Sequence, residues 1–231
     1  MGKRITQQAR GKGSLIYRVR PRTYRYKITY PSLNISGKAK VDKLINSGAH
    51  SAPIARISIN EKKFYIPAPE GIYEGQEIEI NGKSEPGNIL KLKDIPPGTR
   101  VFNVESYPGS GGKYLRGAGT SGTVMTKDNR CVELIIKRRK LRLNENCRAT
   151  VGISAGDGRT MKPIIKAGKR YKIMKSKGRK WHRTSAVKVN AIDHPFGGGR
   201  GKRIKSKIAK RNAPPGRKVG HIKPKKTGKR K

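Results

Sequence analysis

Acidic residues are scarce in this chain and almost missing from its two ends. The 231 residues hold 14 Asp and Glu against 56 Lys and Arg, which gives a formal net charge of +42. Residues 1–36 hold 9 basic and no acidic residues, and residues 173–231 hold 21 basic residues and one acid, Asp193. A chain with so much self-repulsion needs a polyanion to become compact, and nucleic acid is the polyanion that this pattern predicts.

Long apolar runs and metal-binding patterns are also lacking. No apolar stretch reaches the roughly 20 residues that a membrane-spanning helix needs, so we expect no membrane span. A basic protein bound at a membrane surface stays open, although no stretch shows a strong apolar stripe of helical period beside its charges. Cys131 and Cys147 are too few and too far apart for a zinc knuckle, and no histidine stands at partner spacing. We therefore expect no metal and no cofactor, and a reduced, buried Cys131 because it leads into an apolar run.

Short β-strand patterns fill the middle of the chain. Apolar segments of a few residues, separated by turn residues, predict two small β-barrels or a sandwich with almost no helix. The predicted strands are 52–59, 64–66, 77–80, 89–92, 100–104, 122–125, 132–136, 140–143 and 149–153. The pair Asn81-Gly82 predicts one hairpin turn, and the basic run Lys137–Lys140 is expected at another.

The first 36 residues predict a basic arm that contacts RNA. Arg18, Arg20, Arg22, Arg25 and Lys27 alternate there with Tyr17, Tyr24, Tyr26 and Tyr30. Arginine binds phosphate with a planar fork, whereas tyrosine stacks on bases or packs on sugars. The alternative is a partly buried strand with its tyrosines on one face.

Past about residue 173 the strand pattern ends. Gly, Pro, Lys and Arg dominate with few apolar anchors, so this tail is expected to become ordered only against a partner. Its candidate RNA-binding residues are Arg179, Lys180, Arg200, Lys202, Arg203, Arg211, Arg217 and Lys218.

Two glycine-rich segments resemble nucleotide-binding motifs but fail their tests. Gly117–Gly122 matches the spacing of the dinucleotide fingerprint, yet a strand pattern follows where that motif needs a helix. Gly109–Lys113 has the wrong spacing for a phosphate-binding loop. These glycines do allow phosphates to approach the backbone closely, with Lys113 and Arg116 nearby.

The segment 193–200 is the most unusual stretch of the tail. Asp193 and His194 could form a general-base pair, but there is no nucleophile at a recognisable elbow, and adjacent residues on an extended chain point apart. The favoured interpretation is a tail that passes close to nucleic acid, with Gly197, Gly198 and Gly199 permitting tight passage.

Motifs along nearly the whole chain resemble the universal large-subunit ribosomal protein two family, in its archaeal or eukaryotic form. The motifs that carry this resemblance are Ser51-Ala52-Pro53, Ala68–Gly71, Pro86-Gly87-Asn88, Ile95–Gly98, Asn103–Ser106, Pro108–Gly112, Cys147–Gly152, Lys162-Pro163, Lys166-Ala167-Gly168, Asp193–Gly199 and Arg211–Gly220.

The resemblance implies a mainly β architecture, with an OB-fold barrel followed by an SH3-like barrel between extended basic arms. We expect an arm over 1–36, an OB-fold rRNA-binding domain over 37–95, an SH3-like barrel over 96–172 and a tail over 173–231. Arg116 and Arg148 fall in family motifs and are expected to contact rRNA. Asp193, His194 and Gly197–Gly199 fall on the segment that lies nearest the peptidyl-transferase region.

The resemblance also implies a function and partners. The expected function is that of a structural constituent of the large ribosomal subunit in the cytoplasm, which binds large-subunit rRNA and supports subunit association, tRNA positioning and peptide-bond formation by the RNA. Expected partners are that rRNA, other ribosomal proteins, the small subunit through an intersubunit bridge and, indirectly, tRNA, with neither membrane nor DNA. Structural magnesium or potassium ions bridging to rRNA would be compatible with it.

Two other classes of function stay open on sequence alone. A DNA-compacting architectural protein would share the basic tails, although paired β-barrels favour irregular folded RNA over a duplex groove. An enzyme acting on RNA with His194 as its base is disfavoured, because the sequence offers no metal cluster, nucleophile or paired carboxylates.

If both arms engage RNA, the affinity of the free protein for RNA should fall steeply with salt. Each neutralised phosphate contributes a slope of roughly −0.7 to −0.9 in log K against log salt. Titration of labelled RNA at several salt concentrations measures that slope, and a value shallower than about −3 would contradict extensive engagement of the arms.

Overall fold

The computed structural model describes residues 2–128, 130–200, 207–209 and 211–222. Contacts divide the chain into two compact units. The sheet unit is Pro21–Lys169, and the terminal unit combines the described residues on either side of it. Among the described residues, no helix is both long and apolar enough to cross a membrane.

The sheet unit consists almost entirely of β-strands. Its strands are β1 (Gly37–Ile45), β2 (Ile54–Ile59), β3 (Lys62–Pro67), β4 (Glu77–Ile80), β5 (Ile89–Lys91), β6 (Arg100–Phe102), β7 (Val104–Glu105), β8 (Gly112–Tyr114), β9 (Gly122–Asp128), β10 (Cys131–Ile136), β11 (Arg139–Asn144) and β12 (Arg148–Val151). Short 3-10 helices cover Pro21–Tyr24 and Leu92–Asp94. The prediction of a mainly β protein is confirmed.

Ten of these strands form one sheet in the order β11-β10-β9-β6-β12-β5-β4-β1-β2-β3, and β7 pairs with β8 separately. Neighbours are antiparallel except β4 and β5, which meet in parallel at Ile80 and Ile89. The hairpin between β10 and β11 turns at Lys137-Arg138, since Ile136 pairs with Arg139. The turn expected within Lys137–Lys140 is therefore confirmed.

Two hydrophobic cores lie on this sheet, and β5 contributes to both. The first core gathers apolar side chains of β1 to β4 together with Ile89. The second begins with Leu90 and continues through β6, β9, β10 and β12. Successive side chains of a strand point to opposite faces, so neighbouring residues of one short strand serve different cores.

The hairpin predicted at Asn81-Gly82 is absent from the sheet unit as described. The strand before it, β4, pairs in antiparallel fashion with β1, and its contact with β5, the next strand along the chain, is parallel, which a two-residue hairpin turn cannot connect. The buried Asn88 holds the intervening loop instead, since its Oδ1 accepts from the Glu79 amide at 2.7 Å and its Nδ2 donates to the Lys83 carbonyl at 3.0 Å. Asn81 does adopt a positive φ of 62°, so the local turn chemistry is present without the hairpin.

Residues 21–36 pack as part of the sheet unit, with Ile28 and Tyr30 buried. The Thr29 amide donates to the carbonyl of Tyr65 at 3.1 Å, which covers the outer edge of β3. Tyr30 therefore does not face outward with the other arm tyrosines. Its phenol donates to the Asn103 carbonyl at 2.8 Å, and burial raises the pKa of that phenol well above its usual range.

The terminal unit has little apolar interior. Its elements are α1 (Thr6–Gly11), most of α2 (Ala167–Ser176), a 3-10 turn at Ala186–Lys188, and the parallel pair β13 (Ile208–Ala209) and β14 (His221–Ile222). Ile5, Ala209 and Val219 are the buried hydrophobic residues among those described in this unit. The helix α2 was not expected from the sequence, since its composition is as basic as that of the tail that follows.

The two thiols have opposite environments. Cys131 is exposed at the start of β10, so the expectation that it is buried was wrong, whereas Cys147 is fully buried in the second core. Burial raises the pKa of the Cys147 thiol to about 11. Cys131 is the first residue of β10, and the buried part of that strand begins at the next residue, Val132.

The packing of residues 21–36 can be tested with two fragments, 21–169 and 37–169. The shorter one loses the burial of Ile28 and Tyr30, each worth about 1.5–3 kcal/mol. We therefore expect urea unfolding, followed by circular dichroism, to give a free energy of unfolding roughly 3–6 kcal/mol lower for the shorter fragment. Equal midpoints and slopes for the two fragments would show that residues 21–36 are an appendage.

Candidate nucleic-acid interface

The terminal unit contains a basic cavity of about 260 Å³, here called the Trp181 cavity. It is formed by the N-terminal segment on one side and by α2 and the residues after it on the other. Its lining consists of Arg10, Leu15, Ile16, Tyr17, Arg18, Arg20, Tyr171, Lys175, Gly178, Arg179, Lys180, Trp181 and Arg183. The sequence predicted Arg18 and Arg20 in one arm and Arg179 and Lys180 in the other, and the structure brings all four to one cavity.

Aromatic rings and cations alternate around this cavity. The rings of Tyr171 and Trp181 meet edge to face with centroids 5.5 Å apart. Lys175 Nζ lies 5.9 Å from the centroid of Tyr171, and the guanidinium of Arg183 lies 5.9 Å from that of Tyr17. Such distances are within the range of cation–π attraction, so each cation is held beside a ring while its charge stays available.

Carboxylates are missing from the lining. None of its seven cations, Arg10, Arg18, Arg20, Lys175, Arg179, Lys180 and Arg183, forms an ion pair within 4.0 Å in the part of the chain that the structure describes. Their mutual repulsion is uncompensated inside the protein. The cavity is therefore suited to an anionic ligand that presents several charges.

The sheet unit carries a second basic surface, a groove of about 880 Å³ here called the Tyr24 groove. It is lined by residues 24, 26–30, 49–51, 109–111, 113, 116 and 117, and it includes Tyr24, Tyr26, Lys27, Lys113 and Arg116. Tyr24 meets His50 edge to face at 5.6 Å between centroids. The predicted contacts Lys113 and Arg116 are both exposed here.

The other two predicted arginines of the first arm, Arg22 and Arg25, are close in sequence to the groove residues Tyr24 and Tyr26. Arg22 and Arg25 are exposed, and the guanidinium of Arg25 lies 5.9 Å from the ring centroid of Tyr26. The cations of the first arm are thus divided between the two units, with Arg18 and Arg20 in the terminal unit and Arg22 and Arg25 in the sheet unit.

A buried ion pair shapes the glycine-rich side of the Tyr24 groove. Glu105 is fully buried, and its carboxylate accepts from the amides of Gly109 at 3.3 Å and Gly111 at 3.1 Å. It also accepts from Arg148 through the backbone amide at 2.9 Å, Nη2 at 2.9 Å and Nε at 3.3 Å. A single carboxylate with five donors fixes the loop 106–111 on β12.

Arg148 also links this loop to the N-terminal side of the groove. Its Nη1 donates to the Pro31 carbonyl at 2.8 Å, and its guanidinium lies 5.2 Å from the ring centroid of Tyr30. Gly111 lies against Thr29, and its φ of +68° is a conformation that residues with a side chain rarely adopt. Arg148 is almost fully buried, so the structure gives it an internal supporting role, and the RNA contact expected for it stays a prediction.

The Asp193-His194 segment is held by the N-terminal residues of the terminal unit. The Lys3 amide donates to the Ile192 carbonyl at 2.9 Å, and Lys3 Nζ lies 3.6 Å from Asp193 Oδ1. His194 Nδ1 accepts from the Phe196 amide at 3.0 Å, so the neutral ring carries its proton on Nε2. Asp193 pairs with Lys3 and His194 with the backbone, and this geometry lacks a direct Asp–His hydrogen bond among the described contacts.

Tight turns complete that segment. The Gly197 amide donates to the His194 carbonyl at 2.9 Å and the Gly198 amide to the Val189 carbonyl at 3.0 Å. A side chain at position 197 would collide with the Val189 and Asn190 carbonyls, and Gly198 and Gly199 have φ of +75° and +89°. The three glycines are thus required by the backbone path itself.

The remaining tail candidates are more scattered. Arg217 lines a cavity of about 720 Å³ together with His194 and residues 2–5. Arg200, Arg211 and Lys218 are exposed. Lys202 and Arg203 lie outside the described residues. No cluster of three or more His, Cys, Asp or Glu side chains able to hold a metal ion occurs in the described ranges.

Sequence reasoning missed Tyr171, Lys175, Trp181 and Arg183 as individual site residues. The available signal was the run Arg179–Arg183, in which the only tryptophan of the chain stands among basic residues. That signal did not suffice, because one side of the cavity, Arg10 to Arg20, comes from a segment about 160 residues away in the sequence.

Comparison with known proteins places the chain in a family. Residues 85–216 match the family model described as "Ribosomal Proteins L2, C-terminal domain". The chain is 44% identical over 241 aligned positions to the large ribosomal subunit protein uL2 of Archaeoglobus fulgidus, covering 99% of both chains. It is 42% identical to the uL2 proteins of Natronomonas pharaonis, covering 99% and 97%, and of Hyperthermus butylicus, covering 100% of both.

A match over more than half of the chain, together with relatives of this similarity along its whole length, defines its class. The chain belongs to the L2 family of ribosomal proteins.

The role of the buried ion pair can be tested by substitution. Glu105→Gln leaves the buried Arg148 charge without its partner, so we expect the free energy of unfolding to fall by about 3–5 kcal/mol. The double variant E105Q/R148M removes both charges and should recover part of that loss. Chemical denaturation of the three proteins measures the effect.

A matched control is Glu133→Gln. Glu133 is buried on the β10–β11 hairpin, where it accepts from Arg142 Nε at 2.7 Å, and that hydrogen bond lowers the pKa of Glu133. Because the Arg142 side chain is largely exposed, its loss should cost much less than the loss of Glu105. Equal effects of E105Q and E133Q would contradict the special role of the buried pair.

Proposed function

We propose that this chain is a structural constituent of the large ribosomal subunit in the cytoplasm, not an enzyme, and that it binds large-subunit rRNA through both of its units. Family membership supports the ribosomal assignment. The observation that carries RNA binding is the Trp181 cavity, where cations from both arms converge without a carboxylate. A formal net charge of +42 needs a polyanionic partner on that scale.

The two units have different tasks in this proposal. The sheet unit is held by two apolar cores and offers the Tyr24 groove with Lys113 and Arg116 to RNA. The terminal unit has only a small buried apolar set among its described residues, so RNA supplies much of its stabilisation. The assignment of an OB-fold over 37–95 and an SH3-like barrel over 96–172 remains part of the proposal, supported by the two separate cores.

We further propose that the segment 193–199 lies near the peptidyl-transferase region. Its tight glycine turns and the Nε2 donor of His194 suit a contact with RNA, while chemistry on the protein would need a base and nucleophile in line. Peptide-bond formation is left to the RNA. Support of subunit association through an intersubunit bridge, contact with other ribosomal proteins and indirect positioning of tRNA complete the proposed role.

Crosslinking in cells, followed by sequencing of the recovered RNA and identification of the crosslinked peptides, tests this function. We expect recovery concentrated on large-subunit rRNA, because the two basic surfaces would be saturated by it. Crosslinked peptides should come from residues 170–200 and from the Tyr24 groove. Dispersed RNA would overturn the proposal, and recovery dominated by DNA would favour an architectural protein of the same fold.

A further inference from the structure

We propose that the Trp181 cavity binds a single unpaired nucleobase of RNA, stacked on its aromatic rings, with the flanking phosphates on the surrounding cations. This inference rests on the proposed function and deepens it, since it names the chemical group that the cavity takes. A site of this kind binds a base as well as phosphates, whereas a purely basic surface binds phosphates alone.

The size of the cavity limits the ligand. A volume of about 260 Å³ lies just below the range of roughly 300–1,000 Å³ typical of small-molecule pockets. A base pair or a duplex edge would not enter it. One planar base, turned out of its stack, is the part of an RNA chain that matches such a space.

The rings of the cavity are accessible and oriented. Tyr171 is 42% exposed and Trp181, whose ring centroid lies 4.6 Å from that of His182, is half-buried, so both rings keep surface that a ligand can reach. Because the two rings stand at 84° to each other, a base stacked on one face meets the edge of the other ring. Offset stacking and edge-to-face contact are both favourable for aromatic groups, so the corner they form selects a flat ligand.

Contacts within the terminal unit hold the two sides of the cavity together. Gly178, with φ of +61°, passes so close to the side chain of Val19 that a side chain at position 178 would collide with it. This contact joins the N-terminal segment to the residues after α2, and the Arg183 guanidinium over Tyr17 joins them again. The protein itself therefore defines the shape of the stacking corner.

The charges around the corner suit the nucleotides on each side of that base. Seven cations line the cavity and none is paired with a carboxylate in the described part of the chain. Arginine forms bidentate contacts with phosphate oxygens, so five of the seven provide directional partners. A free base would use the rings alone, whereas a base within a strand uses rings and cations together.

Trp181 provides a direct optical readout, because it is the only tryptophan in the chain. The full-length protein is titrated at elevated salt with three labelled RNA hairpins that share one compact tetraloop with stacked bases and differ at one position of the stem. The first stem carries a single bulged adenosine, the second an abasic site in the same bulge, and the third is fully paired. Tryptophan emission reports stacking, and anisotropy of the labelled RNA reports affinity.

We expect quenching of tryptophan emission by the bulged hairpin and little by the other two. The bulged hairpin should bind roughly 5- to 100-fold more tightly than its abasic twin, as expected for stacking of one base. Trp181→Phe keeps an aromatic face and should retain most of this preference. Trp181→Leu keeps apolar volume without a face and should lose it while binding the paired hairpin unchanged.

Tyr73→Leu is the matched control, since Tyr73 is 64% exposed on the sheet unit. It should leave the preference intact. Equal affinity of the wild-type protein for the bulged and abasic hairpins, without quenching, would overturn the stacking site and leave RNA binding standing. Failure to bind any hairpin at low salt would instead overturn the proposed function, so the two failures are distinguishable.

Discussion

The buried pair of Glu105 and Arg148 is the interaction on which the sheet unit most depends. In a chain with four times as many basic as acidic residues, one carboxylate is withheld from the surface and surrounded by five donors. Through Arg148 that carboxylate reaches the carbonyl of Pro31, and through two amides it fixes the loop 106–111. The Tyr24 groove keeps its shape because this ion pair connects the segment at Pro31 with the loop 106–111.

That arrangement divides the arginines into two kinds. Arg148 forms an ion pair inside the protein. The guanidinium groups of four other arginines stay outside any ion pair in the described structure, namely Arg18, Arg20, Arg116 and Arg179. A buried ion pair needs a carboxylate next to the cation. With 14 Asp and Glu against 56 Lys and Arg, the chain can bury only a few of its cations in such pairs. Composition therefore sets how many basic residues can become structural, and the remainder face outward.

The β-rich body could be predicted because its signals are local. Alternation and turn residues located most strands, and the segment 77–80 was predicted with its observed bounds. Signals that depend on distant partners failed. Asn81-Gly82 has the residue types of a hairpin turn, but the strand before it, β4, has β1 as its antiparallel partner. Tyr30 belongs to a basic aromatic arm by sequence, and only the carbonyl of Asn103 and the hydroxyl of Thr150 explain its burial.

The candidate site followed the same division. Charge and residue type identified Arg18, Arg20, Arg179 and Lys180 one by one, since phosphate recognition needs such side chains wherever they lie. Their meeting around Trp181 could not be predicted, because neither segment has an apolar periodicity that would pair it with the other. Arg148 carried the same sequence signal as the exposed arginines, and its partner Glu105 lies 43 positions earlier.

The sharing of β5 between the two cores has a consequence for the synthesis of the chain. Ile89 completes the first core, but the free edge of β5 gains its partner only when β12 at Arg148–Val151 has been made. During translation of the intervening residues, the half-finished protein presents an unpaired strand edge together with Leu90, whose core does not yet exist. The nascent chain is therefore prone to aggregate at this edge until β12 has been made, unless a chaperone or bound RNA covers it.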